Sequence, residues 1–376
     1  MSKIKNNLAS EKLITITKRD APSLKRSILS RAIAIVAALV TCGVITIFVT
    51  GDNPFSIYAT MFEGNFGTSN ITWVTFQNVA MLLCISLAVT PAFRMKFWNI
   101  GAEGQVLIGG LATAICMFTL GGKIPDYLLI PIMIIASIVA GAVWGLIPAV
   151  FKANWNTNET LFTLMLNYVA IQLIEFFLKI ADKSGSNTVG PDLLSHGWLP
   201  PLFGQQYLLN IVIVAVLTVI CYIYLNYSKH GYEISVVGES ENTAKYVGIN
   251  VKKVVIRTMI ISGAICGLAG LLLVGGTSHS IDANIADGRG FTAIMVSWLA
   301  KFNPFMMILT TFLLVFLGRG AEAVSTRFGL NQAFSEILTG IILFFIIGCE
   351  FFIYYKLTFN FKKKSNKNKS EKEVSA

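Results

Sequence analysis

The side chains that could bind or relay a polar solute are few in this sequence, and they cluster. Lys96-Phe-Trp-Asn-Ile-Gly-Ala-Glu-Gly-Gln-Val-Leu-Ile-Gly-Gly110 sets Trp98, Asn99, Glu103 and Gln105 among four glycines at the mouth of a long apolar run. Thr75, Gln77 and Asn78 stand shortly before it, and Thr160, Thr163, Asn167, Tyr168, Gln172 and Glu175 punctuate a later run. Amides and hydroxyls of this kind hydrogen-bond hydroxyl-bearing solutes, an aromatic face stacks on a flat ring, and a carboxylate carries a proton or pins a helix end. Catalytic signatures are missing. His196, His230 and His279 form no HExxH pattern, and no GxxxxGK[ST] phosphate loop occurs. The six cysteines follow no metal-ligand spacing and read as small packing residues.

The elements that must position these groups follow from composition. Of 376 residues, 54% are hydrophobic and 13% charged, with mean hydropathy +0.66. Soluble domains carry about 25% charged residues, so the fold class is an all-α polytopic membrane protein. At about 20 apolar residues per crossing, runs fall near 31–50, 72–93, 99–120, 127–151, 160–180, 207–227, 254–277, 304–318 and 334–356. A shorter run, 290–302, brings the count to about ten if it crosses, or enters as part of a broken pair.

The net charge of +10 does not point to nucleic acid, because the basic residues collect in the tails and one loop. Residues 1–31 hold eight Lys/Arg, the 51–71 loop none, and the 228–253 loop Lys229, Lys245, Lys252 and Lys253. By the positive-inside rule both termini and the 228–253 loop are expected in the cytoplasm, with 181–206 outside. The expected layout is a basic cytoplasmic segment at 1–30, a transmembrane domain at 31–357 and a basic, disordered tail at 358–376.

Local signals refine this. On the 160–180 run the polar residues occupy half the circumference, suited to a water-filled path or to bonding neighbouring helices. Pro91 predicts a kink or break. Gly263 and Gly267, four apart, predict close helix contact, and the polar stretch Asp282–Arg289 is expected outside the membrane. In the 228–253 loop, Ser240 as N-cap and Gly248 as the terminating glycine predict a short helix over 241–247. Asn99 is suited to cap a helix entering at Ile100. Glu103 then lies in the first turn, with Arg94 or Lys96 as counter-charge, and is read as a structural pin in preference to a substrate ligand.

Two stretches carry a resemblance. Val237-Gly-Glu-Ser-Glu-Asn-Thr-Ala-Lys-Tyr-Val-Gly-Ile-Asn-Val-Lys-Lys253 resembles the cytoplasmic coupling loop of ABC-transporter permeases in the branched-chain amino acid, simple sugar and nucleoside superfamily. Phe97-Trp-Asn-Ile-Gly-Ala-Glu-Gly-Gln-Val-Leu-Ile-Gly-Gly110 is similar to the nucleoside or simple-sugar subgroup, and Thr163–Tyr168 and Gly267–Gly270 match in type and order. Asn242-Thr243 and Lys245 depart from the usual loop but keep helix formation and charge.

The resemblance implies the larger of two non-identical permeases, hence a heterodimer in preference to a homodimer. It implies as partners an ABC ATPase subunit, which uses the ATP, and an extracytoplasmic substrate-binding lipoprotein. No cofactor or metal is expected on this chain. Coupling to the ATPase is expected at Gly238, Glu239, Ala244, Lys245, Tyr246 and Gly248. Asn78, Trp98, Asn99, Glu103, Gln105, Asn167 and Tyr168 have the chemistry to line a path for a nucleoside. The rival class is an ion-coupled secondary transporter in which Glu103 or Glu175 carries a proton.

Overall fold

The computed structural model describes residues 14–18, 24–51, 53–182 and 187–359. β1 (Ile14–Lys18), α1 (Leu24–Thr50), α2 (Pro54–Phe66), α3 (Ser69–Arg94), α4 (Ala102–Leu120), α5 (Asp126–Trp155) and α6 (Glu159–Ala181) come first. β2 (Thr188–Val189), α7 (Leu208–Tyr227), α8 (Lys229–Glu239), α9 (Glu241–Tyr246) and α10 (Val251–Leu273) follow, and α10 runs into a π-helical turn, Val274–Ser278. Then come β3 (Ile281–Asp282), α11 (Arg289–Leu299), α12 (Pro304–Arg327), α13 (Gln332–Tyr354) and β4 (Tyr355–Phe359).

Nine helices among the described residues are long and apolar enough to cross a membrane, and they coincide with the nine long runs of the sequence. Their starts follow local chemistry: Thr68, Asn158, Asn250 and Asn331 each accept a backbone N–H of the first turn of α3, α6, α10 and α13. Most of the basic segment expected at 1–30, and nearly all of the tail expected at 358–376, lie outside the described residues.

The chain divides into two compact units, Met1–Thr60 with Ala321–Ala376, and Met61–Gly320. In the first, α1 and α13 run antiparallel, tied by the Arg31–Glu350 ion pair at 2.6 Å and by a Cys42 thiol directed at the Leu338 carbonyl. β1 pairs antiparallel with β4, so the chain enters α1 and leaves α13 at the same end.

In the second unit the passes alternate in direction. α4 runs parallel to α10, since Asn99 meets Ser262 and Gly109 meets Gly267. α5 runs opposite to α10: a Cβ on Gly267 would lie 2.1 Å from the Ser137 carbonyl oxygen, and one on Gly145 would lie 2.7 Å from that of Met259. Backbone meets backbone along this seam, and only glycine permits that approach.

α11 is the exception among the crossings. Its 11 residues span about 16 Å, half of a hydrocarbon core of about 30 Å. Yet β3 pairs with β2, just beyond the end of α6, while Ser297 bonds Thr90 and the Ser86 carbonyl near the opposite end of α3. Residues 281–299 therefore make one complete pass, and only the second half is helical. Among the described residues, α1 and α13 in the first unit and eight passes in the second make ten, the count expected from the sequence if the short run crosses.

Several expectations need correction. Of the kink or break expected at Pro91, the break is absent: α3 continues through it to Arg94. Asp282–Arg289 does not lie wholly outside: Ile285 and Ala286 are buried, and Gly288 and Arg289 bond side chains of α4 and α3. The 51–71 loop contains α2, and the 228–253 loop contains α8 in addition to the expected short helix.

Candidate functional site

α8 and α9 form a compact double helix-turn between α7 and α10. Ser228 Oγ accepts the Gly231 N–H and Ser240 Oγ accepts the Thr243 N–H, so each helix carries its own cap. Gly248, at φ +83°, ends α9: its N–H reaches the Lys245 carbonyl and the Ile249 N–H the Ala244 carbonyl. The inner face of the pair is apolar. Ile234, Val237 and Ala244 pack with Met95, Phe97, Val254 and Met259. Gly238 lies so close to α3 that a Cβ would fall 2.1 Å from the Arg94 carbonyl oxygen. On the outer face Glu239, Lys245 and Tyr246 are exposed, Tyr246 by 94%. Of the six residues expected at a coupling loop, Gly238 and Ala244 thus seat the helices, Gly248 terminates α9, and the other three face outward.

Beneath this knob lies the turn that begins α4. Phe97 N–H bonds the Ala92 carbonyl and Lys96 takes φ +62°, folding the chain back on itself. Asn99 does not cap a helix at Ile100. α4 starts at Ala102, and Asn99 Oδ1 accepts the Gly101 N–H at 3.1 Å while exchanging contacts with Gln105 and Ser262. The capping comes from α6: Asn167 Oδ1 accepts the Gly104 N–H at 2.9 Å, Asn167 Nδ2 donates to the Ile100 carbonyl, and Thr163 Oγ1 accepts the Ile100 N–H. The polar stripe of α6 is therefore spent on α4 at these two positions. Tyr168 does not join them; it stands 59% exposed on another flank of α6.

Glu103 is in the first turn of α4, as expected, but its counter-charge is not Arg94 or Lys96. Arg94 donates to the Leu225 carbonyl. The Glu103 carboxylate instead accepts the N–H groups of Gly288 and Gly290 at 2.8 and 2.6 Å, capping the N-terminus of α11 from 185 residues away. Arg289, between them, donates to Asn78 Oδ1 of α3 at 3.0 Å. At the other end of α11, Trp298 stacks on Trp98 with ring centroids 5.8 Å apart, and Phe93 meets both rings edge-on.

A second polar group lies at the π-helical turn. Gln77 donates to Thr277, and Asn210 Nδ2 reaches Thr277 and the Leu272 carbonyl. Gln77 is 1% exposed, and its Oε1 has no partner among the described residues. Beyond it, His279 stacks on Trp198 at 4.1 Å, and its burial holds the imidazole below its ordinary pKa. Arg289, Thr277 and Asn210 were not singled out from the sequence. Their signals, an arginine ahead of a short apolar run and Gly-Gly-Thr at the end of a span, are faint without knowing their partners.

Residues 70–347 match the family described as the branched-chain amino acid transport system permease component. The guanosine ABC transporter permease protein NupP of Bacillus subtilis is 30% identical over 84% of this chain and 91% of its own length. The glucose ABC transporter permease protein TsgB13 of Haloferax volcanii is 29% identical over 89% of this chain and 90% of its own. A second guanosine permease protein of Bacillus subtilis, NupQ, is 24% identical over 72% of the chain. With the two sequence signatures standing on the α8–α9 knob and on the turn beneath it, and the match covering most of the chain, this protein belongs to the branched-chain amino acid transport system permease component family.

Proposed function

We propose that this permease forms half of the path by which an ATP-driven importer of the cell membrane takes in nucleosides or related sugar-containing solutes delivered by an extracytoplasmic binding protein. ATP is hydrolysed by a separate subunit, in keeping with the lack of a phosphate loop in this sequence. Guanosine and glucose, the solutes for which two similar permeases are named, share a hydroxyl-rich ring. That likeness carries the substrate reading.

The ATPase seats on the outward face of α8–α9, with the termini on the same cytoplasmic side. A short, doubly capped helix pair transmits a displacement that a loose loop would absorb. Its most exposed aromatic, Tyr246, is the kind of side chain that anchors an interface. A second, non-identical permease completes the path. The greater likeness to NupP than to NupQ within one organism supports a pair of unlike subunits.

Within the path the half-exposed Trp98 meets solute, while Asn78, Asn99, Glu103, Gln105 and Asn167, whose polar atoms are committed to partners within the fold, hold its wall. Selectivity rests mainly with the binding protein, so weak complementarity suffices here, and tight binding would slow release.

Uptake of labelled solutes into proteoliposomes holding the permease pair, the ATPase and the binding protein tests the substrate reading. Guanosine should be taken up and be displaced by other nucleosides. Uptake of leucine with no uptake of guanosine or glucose would overturn it.

A further inference from the structure

Both ends of α11 are held by the same short segment, residues 98–103. Trp98 stacks on Trp298 at its C-terminal end, and Glu103 takes the N–H groups of Gly288 and Gly290 at its N-terminal end. The fit is close, since a Cβ on Gly290 would lie 2.4 Å from the Glu103 backbone nitrogen. The 95–101 turn is in turn the floor on which α8 and α9 sit, through Met95 and Phe97 against Ile234, Val237 and Ala244. An unbroken line of packed contacts thus runs from α9 through the turn to α11.

The charge at this end of α11 is also accounted for. A half-helix N-terminus inside a bundle presents unpaired N–H groups and the positive end of a dipole, and here the chain supplies the anion itself. Asp287 lies beside the site, 3.7 Å from the Arg289 guanidinium, which also donates to Asn78. No other element of the described structure bonds the Gly288 and Gly290 N–H groups, so Glu103 alone fixes this end to α4.

From this we infer that Glu103 is a positioning residue that passes the displacement of α8–α9 on to α11, making the interrupted crossing the moving wall of the path. This rests on the reading of α8–α9 as the seat of the ATPase. The clasp needs two acceptors. Glu103→Gln keeps the shape but leaves one acceptor oxygen and points an NH2 group at the second N–H donor.

The test uses the assembled importer in proteoliposomes. E103Q should hydrolyse ATP within about twofold of wild type while uptake per ATP falls at least about tenfold, the cost of about 1.4 kcal/mol in coupling. A residue of merely structural importance would lower both together, along with thermal stability.

Spin labels on the assembled importer give a second readout, whose wild-type arm does not depend on the variant. With Glu103 intact, labels at N242C on α9 and F291C on α11, each measured against V139C on α5, should both shift by about 2 Å or more on ATP binding. In E103Q only the α9 label should move. Movement of the α9 label without the α11 label in the otherwise wild-type protein, or wild-type coupling in E103Q, overturns the inference alone. A motionless α9 label overturns the reading of α8–α9, and the inference with it.

Discussion

The α5–α10 seam and the α11 crossing solve the same problem in opposite ways. Along the seam, Gly141, Gly145, Gly263 and Gly267 bring two full-length helices together until backbone touches backbone. Many weak contacts act at once, and no polar side chain is needed. Residues 281–299 cross with half a helix, and backbone groups there are satisfied by a few specific bonds, from Glu103 to the Gly288 and Gly290 N–H groups and from Arg289, itself tied to Asn78, to the Ile285 carbonyl. The first arrangement has one arrangement of lowest energy and resists deformation. The second depends on a handful of directional bonds that can be exchanged, which suits a wall that must move.

The sharpest way to break the contrast is Gly267→Leu. With the Ser137 carbonyl oxygen 2.1 Å from the position of a Cβ, the helices must separate. A loss of about 3 kcal/mol or more is expected, seen as failure to recover folded protein in size-exclusion chromatography; normal recovery would mean the seam does not govern the fold. Next in size is Gly248→Val, which forces a β-branched residue to φ +83° at the end of α9. The permease should still insert, but uptake and solute-stimulated ATP hydrolysis should drop about tenfold for about 1.4 kcal/mol of misplacement. Unimpaired stimulation would deny α9 its part in coupling.

Arg289→Met should lower stability by about 1 to 2 kcal/mol, because Asn78 Oδ1 loses its donor; thermal melting in detergent checks it. The smallest effect is expected from Gly348→Leu in α13, where a Cβ meets nothing within 4 Å. A change within about 0.5 kcal/mol in the same melt would separate glycines that pack from glycines that do not.

Much of this architecture was legible in the sequence. Long apolar runs must become helices in a membrane, since no other open structure pairs its backbone there. Local caps such as Ser240 and Gly248 work within one turn of chain, and both act in the structure as their types suggest. Hidden were features whose cause is distant in sequence. α2 and α8 are too short or too mixed to register as crossings. Glu103 pointed to its own helix dipole, but its partners stand 185 and 187 residues on. The same distance hid the capping of α4 by Asn167, whose polar stripe read equally as a water path. Composition announces that a polar group in a membrane segment needs a partner; only the fold says which.

This permease works in an importer driven by ATP. The most direct measurement is guanosine uptake into proteoliposomes carrying the whole importer, with ATP supplied to the ATPase side and the proton gradient collapsed. Uptake should require ATP and be unchanged by collapsing the gradient. Uptake that persists without ATP and disappears with the gradient would contradict it.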